Sequence, residues 1–164
     1  VLHDMFGVPF EEVGPIVDRS PGAARQLASR ARRRVRGTAD VSGAKIDRRR
    51  EVVTAFLAAA REGDFASLIA VLDPDAEVRP DAAAMAIGGE WEARGATAVA
   101  KAFSGNAKAA RPALIDGVPG AVWAPGGQPR VAVLFTFAGD TIAAIDLVTD
   151  PERLAGFDLE ISPR

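Results

Sequence analysis

The chain has 164 residues, 48% of them hydrophobic and 26% charged, with a net charge of −2. That length fits one domain or two small ones, and the composition is too apolar for general disorder. There is no cysteine, a single histidine (His3) and no tyrosine. Disulfides and thiolate metal sites are therefore excluded, most of the usual acid–base side chains are missing, and no cofactor is expected.

Charge is unevenly spread. Residues 1–37 hold seven Lys and Arg against four Asp and Glu, whereas residues 45–164 hold thirteen against seventeen. A basic head on an acidic body points to two modules with different partners. No apolar run approaches the roughly 20 residues of a membrane span, and the start lacks a signal-peptide pattern. A soluble, cytoplasmic protein with no membrane contact is expected. The first residue is Val1 rather than Met, as in a piece of a longer chain.

In chain order, "PFEEVGPIVD" predicts a first short helix. Pro9 opens it, Glu11 and Glu12 suit the positive helix N-terminus, and Val13, Ile16 and Val17 form its buried stripe. Gly14 and Pro15 weaken its middle. In "RSPGAARQLASRARRRVRG", Ser20 is a natural N-cap, Pro21 takes the first helical position and Gly37 stops a helix that runs to about Arg36. At about 100° per residue, Ala23, Ala24, Leu27, Ala28, Ala31 and Val35 share one face. Arg25, Gln26, Ser29, Arg32, Arg33 and Arg36 share the opposite one, with Arg34 falling on the packing side. A solvated helix would intersperse Glu among these cations, and here no acid relieves their repulsion. Two helices joined by so short a turn fit a helix-turn-helix.

"GTADVSGA", residues 37–44, is small, polar and carries two glycines, the composition of a linker. Beyond it, a helix is predicted from about Lys45 to Glu62, with Val52, Val53, Phe56, Leu57 and Ala60 inward and Gly63 closing it. "DFASLIAVL" predicts a second, capped by Asp64 and broken at Pro74. "AEVRPDA" reads as a short strand and "GATAVAKAF" as a third helix. "PALIDGVPGAVWA" predicts a strand broken near Pro119–Gly120. "RVAVLFTF" alternates with period two and, after a short "AGD" turn, forms a hairpin with "TIAAIDLV". A short tail ends the chain. Helices first and strands last argue for an α+β domain with helices over one face of a curved, mostly antiparallel sheet.

The segment "PFEEVGPIVDRSPGAARQLASRARRRVR" resembles the C-terminal half of region four of bacterial sigma factors of the extracytoplasmic-function type. The body after the linker resembles a SnoaL-like domain, the cone fold shared with nuclear transport factor two. Sigma factors with such a fused extension form a recognised group. That group carries an Asn-Pro-Asp-Lys-Leu-like motif after the last strand, matched here by "DPERL", Asp150 to Leu154. It also carries an Asp-Gly-Gly-Gly-Lys-like motif on the first strand. Here "PDAAAM" departs from it, with Asp81 in the Asp position, alanines for the glycines and Met85 for the lysine.

The resemblance implies a division into a partial region-four helix-turn-helix (1–36), a linker (37–44) and a SnoaL-like domain (45–164). It implies promoter DNA and core RNA polymerase as partners. Ser20 and Pro21 would open the recognition helix. Arg25, Gln26 and Ser29 would meet base edges or phosphates of a promoter −35 element, and Arg30, Arg32 and Arg33 would mostly meet phosphates. It also implies a regulatory contact through Asp81, Asp150, Pro151, Glu152, Arg153 and Leu154. Glu152 and Arg153 would be held outward by an Asp150 cap, while the plainer reading has Leu154 packing back at a strand terminus.

SnoaL-like folds often house a pocket, so a small-molecule ligand in the cone is a further expectation, and catalysis must be weighed. The candidate acids are Asp81, Glu90, Glu92 and Asp146, with no His or Tyr beyond residue 45 to complete a pair. Asp146, in an apolar strand, either faces a pocket or pairs with an arginine such as Arg79 or Arg94. Trp91 and Trp123 read as core or pocket walls. No enzyme activity is expected. The runner-up reading is a ligand-responsive DNA-binding regulator.

Overall fold

The computed structural model describes residues 43–88 and 91–163. The segment expected to form a helix-turn-helix, with Ser20, Pro21, Arg25, Gln26, Ser29, Arg30, Arg32 and Arg33, lies outside the described residues, as does Glu90.

Helix α1 spans Gly43–Glu62 and buries Val52, Val53, Phe56, Leu57, Ala59 and Ala60, the inward set its pattern predicts, plus Ala59. Its first turns are polar; there Arg48 lies 3.7 Å from Asp140 and Arg49 stacks over the Phe137 ring at 5.0 Å, while the apolar anchor is the C-terminal half. Gly63, at φ +71°, supplies the left-handed residue that ends it. Asp64 then caps α2 (Phe65–Val71): one carboxylate oxygen accepts the Ser67 amide at 3.1 Å and the other the Ser67 hydroxyl at 2.6 Å.

Helix α2 does not run on to Pro74. It stops at Val71, and the chain is already extended at Leu72, where β1 (Leu72–Pro80) begins. The residue before a proline is pushed out of the helical region, and the paired partner is close at hand. Leu72 pairs with Ile142, the ladder then lapses, and pairing resumes at Glu77, so Pro74 falls where no ladder bond is needed. Helix α3 (Ala82–Ala86), a two-residue edge strand β2 (Ala93–Arg94) and helix α4 (Ala96–Phe103) follow.

"PALIDGVPGAVWA" is two strands, β3 (Arg111–Ile115) and β4 (Val118–Trp123). The break expected at Pro119–Gly120 lies instead at Asp116–Gly117, both with positive φ (51° and 80°), the turn that matches the twist of a two-residue hairpin. Pro119 sits inside β4 opposite Leu114, one residue before the ladder to the next strand starts at Gly120. The predicted hairpin appears as β5 (Val131–Ala138) and β6 (Thr141–Val148). "DPERL" opens helix α5 (Pro151–Gly156), and the expected tail contributes a last strand, β7 (Leu159–Ile161). The Asp116 amide donates to the Asp158 carbonyl, and the Asp158 amide to the Asp116 carboxylate, both at 2.9 Å. That exchange ties the β3–β4 turn to the segment that enters β7.

The seven strands form one curved, open sheet in the order β2-β1-β6-β5-β4-β3-β7, antiparallel throughout except for β1 beside β6. The fold is the expected α+β cone. Val133, Phe135, Ile145 and Leu147 on its inner face pack with α1 and α4. There Phe56 lies edge-on to Phe103 and Phe135, with centroids 5.1 and 5.4 Å away. Ala113, Ile115, Val122, Ala132 and Val148 form a second cluster with Leu154 of α5, against which Phe157 and Leu159 pack. No helix among the described residues is long and apolar enough to cross a membrane.

Candidate functional site

The two sequence motifs singled out above, separated by about 70 residues, meet at Asp81. Its position follows from local chemistry: the chain leaves β1 at Pro80 and turns into the alanine run of α3, and an aspartate before such a run caps it. Oδ1 accepts the Ala84 amide at 2.8 Å and the Thr149 hydroxyl at 2.9 Å. Oδ2 accepts the amides of Thr149 at 2.9 Å and Asp150 at 3.0 Å, with the Arg153 guanidinium 3.7 Å away. The Asp81 amide donates to the Leu147 carbonyl at 2.9 Å, continuing the pairing of β1 with β6. One carboxylate, its side chain 8% exposed, thus joins α3, the end of β6 and the entry to α5.

Burial pushes the Asp81 carboxyl up. The hydrogen bonds from the Ala84, Asp150 and Thr149 amides and the Thr149 hydroxyl outweigh it, and the net shift is downward. Asp81 is consequently an anion at neutral pH and a structural clamp. The expected Asp150 cap is present as well: its Oδ1 accepts the Arg153 amide at 2.9 Å, with Pro151 at the first helical position. Glu152 and Arg153 are exposed while Leu154 is buried. The outward presentation and the packing of Leu154 therefore coexist. Thr149, immediately before the motif, contributes two of the clamp's hydrogen bonds and was not anticipated; its signal is a hydroxyl side chain at a strand end beside a cap.

The carboxylates weighed for catalysis go elsewhere. Asp146 lies on the other side of the sheet from Ile145 and Leu147, bound by both oxygens to Arg79 (Nε and Nη2, each 2.8 Å). The hydrogen bond to Asp146 raises the Arg79 pKa further, and Glu77 lies 3.5 Å from the same guanidinium. Asp81 is spent in the clamp, and Glu92 is exposed.

Beside the clamp the cone opens into a cavity of about 540 Å³. Phe56, Phe103, Trp91 and Trp123 supply aromatic wall, as expected of the tryptophans, and Ile87 stands at its edge. Thr149, Asn106 and Lys108 are its polar lining. No described Asp or Glu lines it. Among the described residues no cluster of three or more His, Cys, Asp or Glu side chains is placed to hold a metal ion.

No family model matches the sequence. The chain is 33% identical over 177 aligned positions to the ECF RNA polymerase sigma factor SigJ of Mycobacterium tuberculosis, an alignment covering 98% of this chain and 56% of SigJ. A shorter stretch, 45% of the chain, is 35% identical to the probable ECF RNA polymerase sigma factor SigI of the same organism and covers 26% of it. The crystal structure of Mycobacterium tuberculosis SigJ superposes with a TM-score of 0.52 and 29% identity over 95% of this chain and 58% of that one. The chain thus spans little more than half the length of SigJ. Across that span, in sequence and in fold, it is homologous to an extracytoplasmic-function sigma factor and carries a SnoaL-like cone.

Proposed function

We propose that the chain is the later part of an extracytoplasmic-function sigma factor that directs core RNA polymerase to promoter −35 elements. In this reading residues 1–36 are the end of a region-four helix-turn-helix, and a linker expected over 37–44 leads into a regulatory SnoaL-like domain, expected from residue 45, whose first helix already begins at Gly43. The observation that carries it is the extent of the SigJ alignment: at 98% of the chain it takes in both the arginine-rich helix and the cone. Neither module alone would support so specific a reading. Arg25, Gln26 and Ser29 read the promoter, and Arg30, Arg32 and Arg33 hold its phosphates. The cone performs no chemistry. It acts on transcription through the face of α5 that presents Glu152 and Arg153, and its cavity is where a small molecule reaches that control.

The Asp81 clamp supports the regulatory part, because it ties the two motifs together and leaves Glu152 and Arg153 exposed beside it, the Arg153 guanidinium 3.7 Å from the Asp81 carboxylate. The test is transcription from a cognate promoter by full-length protein carrying Glu152→Ala and Arg153→Ala together. A changed output at unchanged melting temperature is expected. Unchanged transcription removes the regulatory contact.

A further inference from the structure

We propose that the cavity at the mouth of the cone binds an amphipathic carboxylate, an acyl or aryl acid whose apolar body fills the cavity and whose acid group pairs with Lys108. The proposal rests on the reading of the cone as a regulatory domain, since it names the class of molecule that domain senses.

At about 540 Å³ the cavity has the size of a small-molecule site. Its walls are aromatic and aliphatic, so a sugar or nucleotide would lose its hydration there without replacement. Ile87 is 80% exposed and Trp123 41% exposed, and both line the opening. Large apolar side chains left in water around one opening mark a contact surface. The head group is chosen by charge: Lys108 is the sole charged residue in the lining and has no ion pair among the described residues. Among the described residues no carboxylate faces the cavity to serve a cationic ligand, whereas an acid finds Lys108. Asn106 and Thr149 add hydrogen-bonding atoms nearby.

Occupancy also has a route outward. Thr149 touches the cavity on one side and donates two hydrogen bonds to Asp81 on the other, and the next residue, Asp150, caps α5. A ligand against Thr149 therefore bears on the helix that presents Glu152 and Arg153.

Both tryptophans of the chain line the cavity, so intrinsic fluorescence reports on it directly. The 164-residue chain is titrated with decanoate, below its micelle concentration, and with 1-decanol. A saturable blue shift is expected, with decanoate binding more tightly. Lys108→Gln should weaken decanoate roughly fivefold and leave decanol unchanged, the loss expected of one partly solvated ion pair. Ala107→Leu, which narrows the cavity, should weaken both.

Absence of a saturable response overturns the proposal. Decanoate binding that ignores Lys108→Gln overturns the choice of an acid, and binding that ignores Ala107→Leu places the ligand elsewhere. Transcription separates the two readings. Binding without any effect on transcription sinks the regulatory reading and leaves the site standing. An effect of Glu152→Ala and Arg153→Ala without decanoate binding does the reverse.

Discussion

Asp81 shows how much one carboxylate can organise. Four hydrogen bonds converge on it from two segments, Ala84 on one side and Thr149–Asp150 on the other, and the three backbone donors among them would otherwise be left unsatisfied at a helix start or strand end. Asp81→Asn keeps the shape but puts an amide N–H where backbone N–H groups point. A loss of about 2–4 kcal/mol at pH 7 is expected by chemical denaturation. Because the folded carboxyl titrates below its ordinary value of 3.8, its contribution is complete above that value and fades as pH falls through the folded pKa. The gap between wild type and variant should therefore narrow toward pH 3, and a gap independent of pH would contradict the charged clamp. The cap lies inside "AEVRPDA", which reads as strand throughout; the strand ends at Pro80, and the alanine run after Asp81 is the local signal for the helix that replaces it. The bonds from Thr149 and Asp150 have no such signal, because they join positions nearly 70 residues apart. Asp146 is the converse case: an acid in an apolar strand left a pocket or a pairing with Arg79 or Arg94 open, and the neighbouring strand settles it on Arg79.

At the scale of elements, periodicity succeeded where one face is buried and the strands are long. The β5–β6 hairpin was legible because Val133 and Phe135 alternate with Ala132 and Leu134 between the two sides of the sheet. The β3–β4 hairpin was misread because Pro119–Gly120 is strong punctuation locally, whereas the turn is made by Asp116–Gly117. Gly120 has a different duty. A Cβ there would lie 2.8 Å from both the Ile115 side chain and the Val133 carbonyl, so the residue is a close-packing point inside a paired strand. Gly120→Ala should cost about 1–3 kcal/mol by thermal or chemical unfolding, since backbone cannot yield cheaply. An unchanged midpoint would show that β3 and β5 can part to admit it. Strand β7 escaped detection because three residues carry too little pattern; its pairing of Ile161 with Ala113 exists only once β3 is in place.

For the molecule as a whole, the segregation of charge is the feature with the widest reach. A cationic helix facing phosphates makes binding steeply salt-dependent, whereas base contacts discriminate between sequences. In the full-length protein, Arg33→Ala should weaken all DNA alike and reduce the slope of log affinity against log salt by about 1. Arg25→Ala should instead cost about 1–3 kcal/mol of preference for the cognate promoter. Fluorescence anisotropy at two salt concentrations separates them, and equal binding by wild type and both variants would remove the DNA-reading face. The α+β class, the principal helices of the cone and its long hairpin were legible along the chain, because caps and periodicity are local properties, and the cone itself followed from the family resemblance. It took the folded chain to bring Asp81 and the "DPERL" segment into one clamp, to pair Asp146 with Arg79 rather than Arg94, and to set Lys108 at an aromatic cavity. Each of these joins residues distant in the chain, and such contacts are set by how the sheet curves and which strands become neighbours.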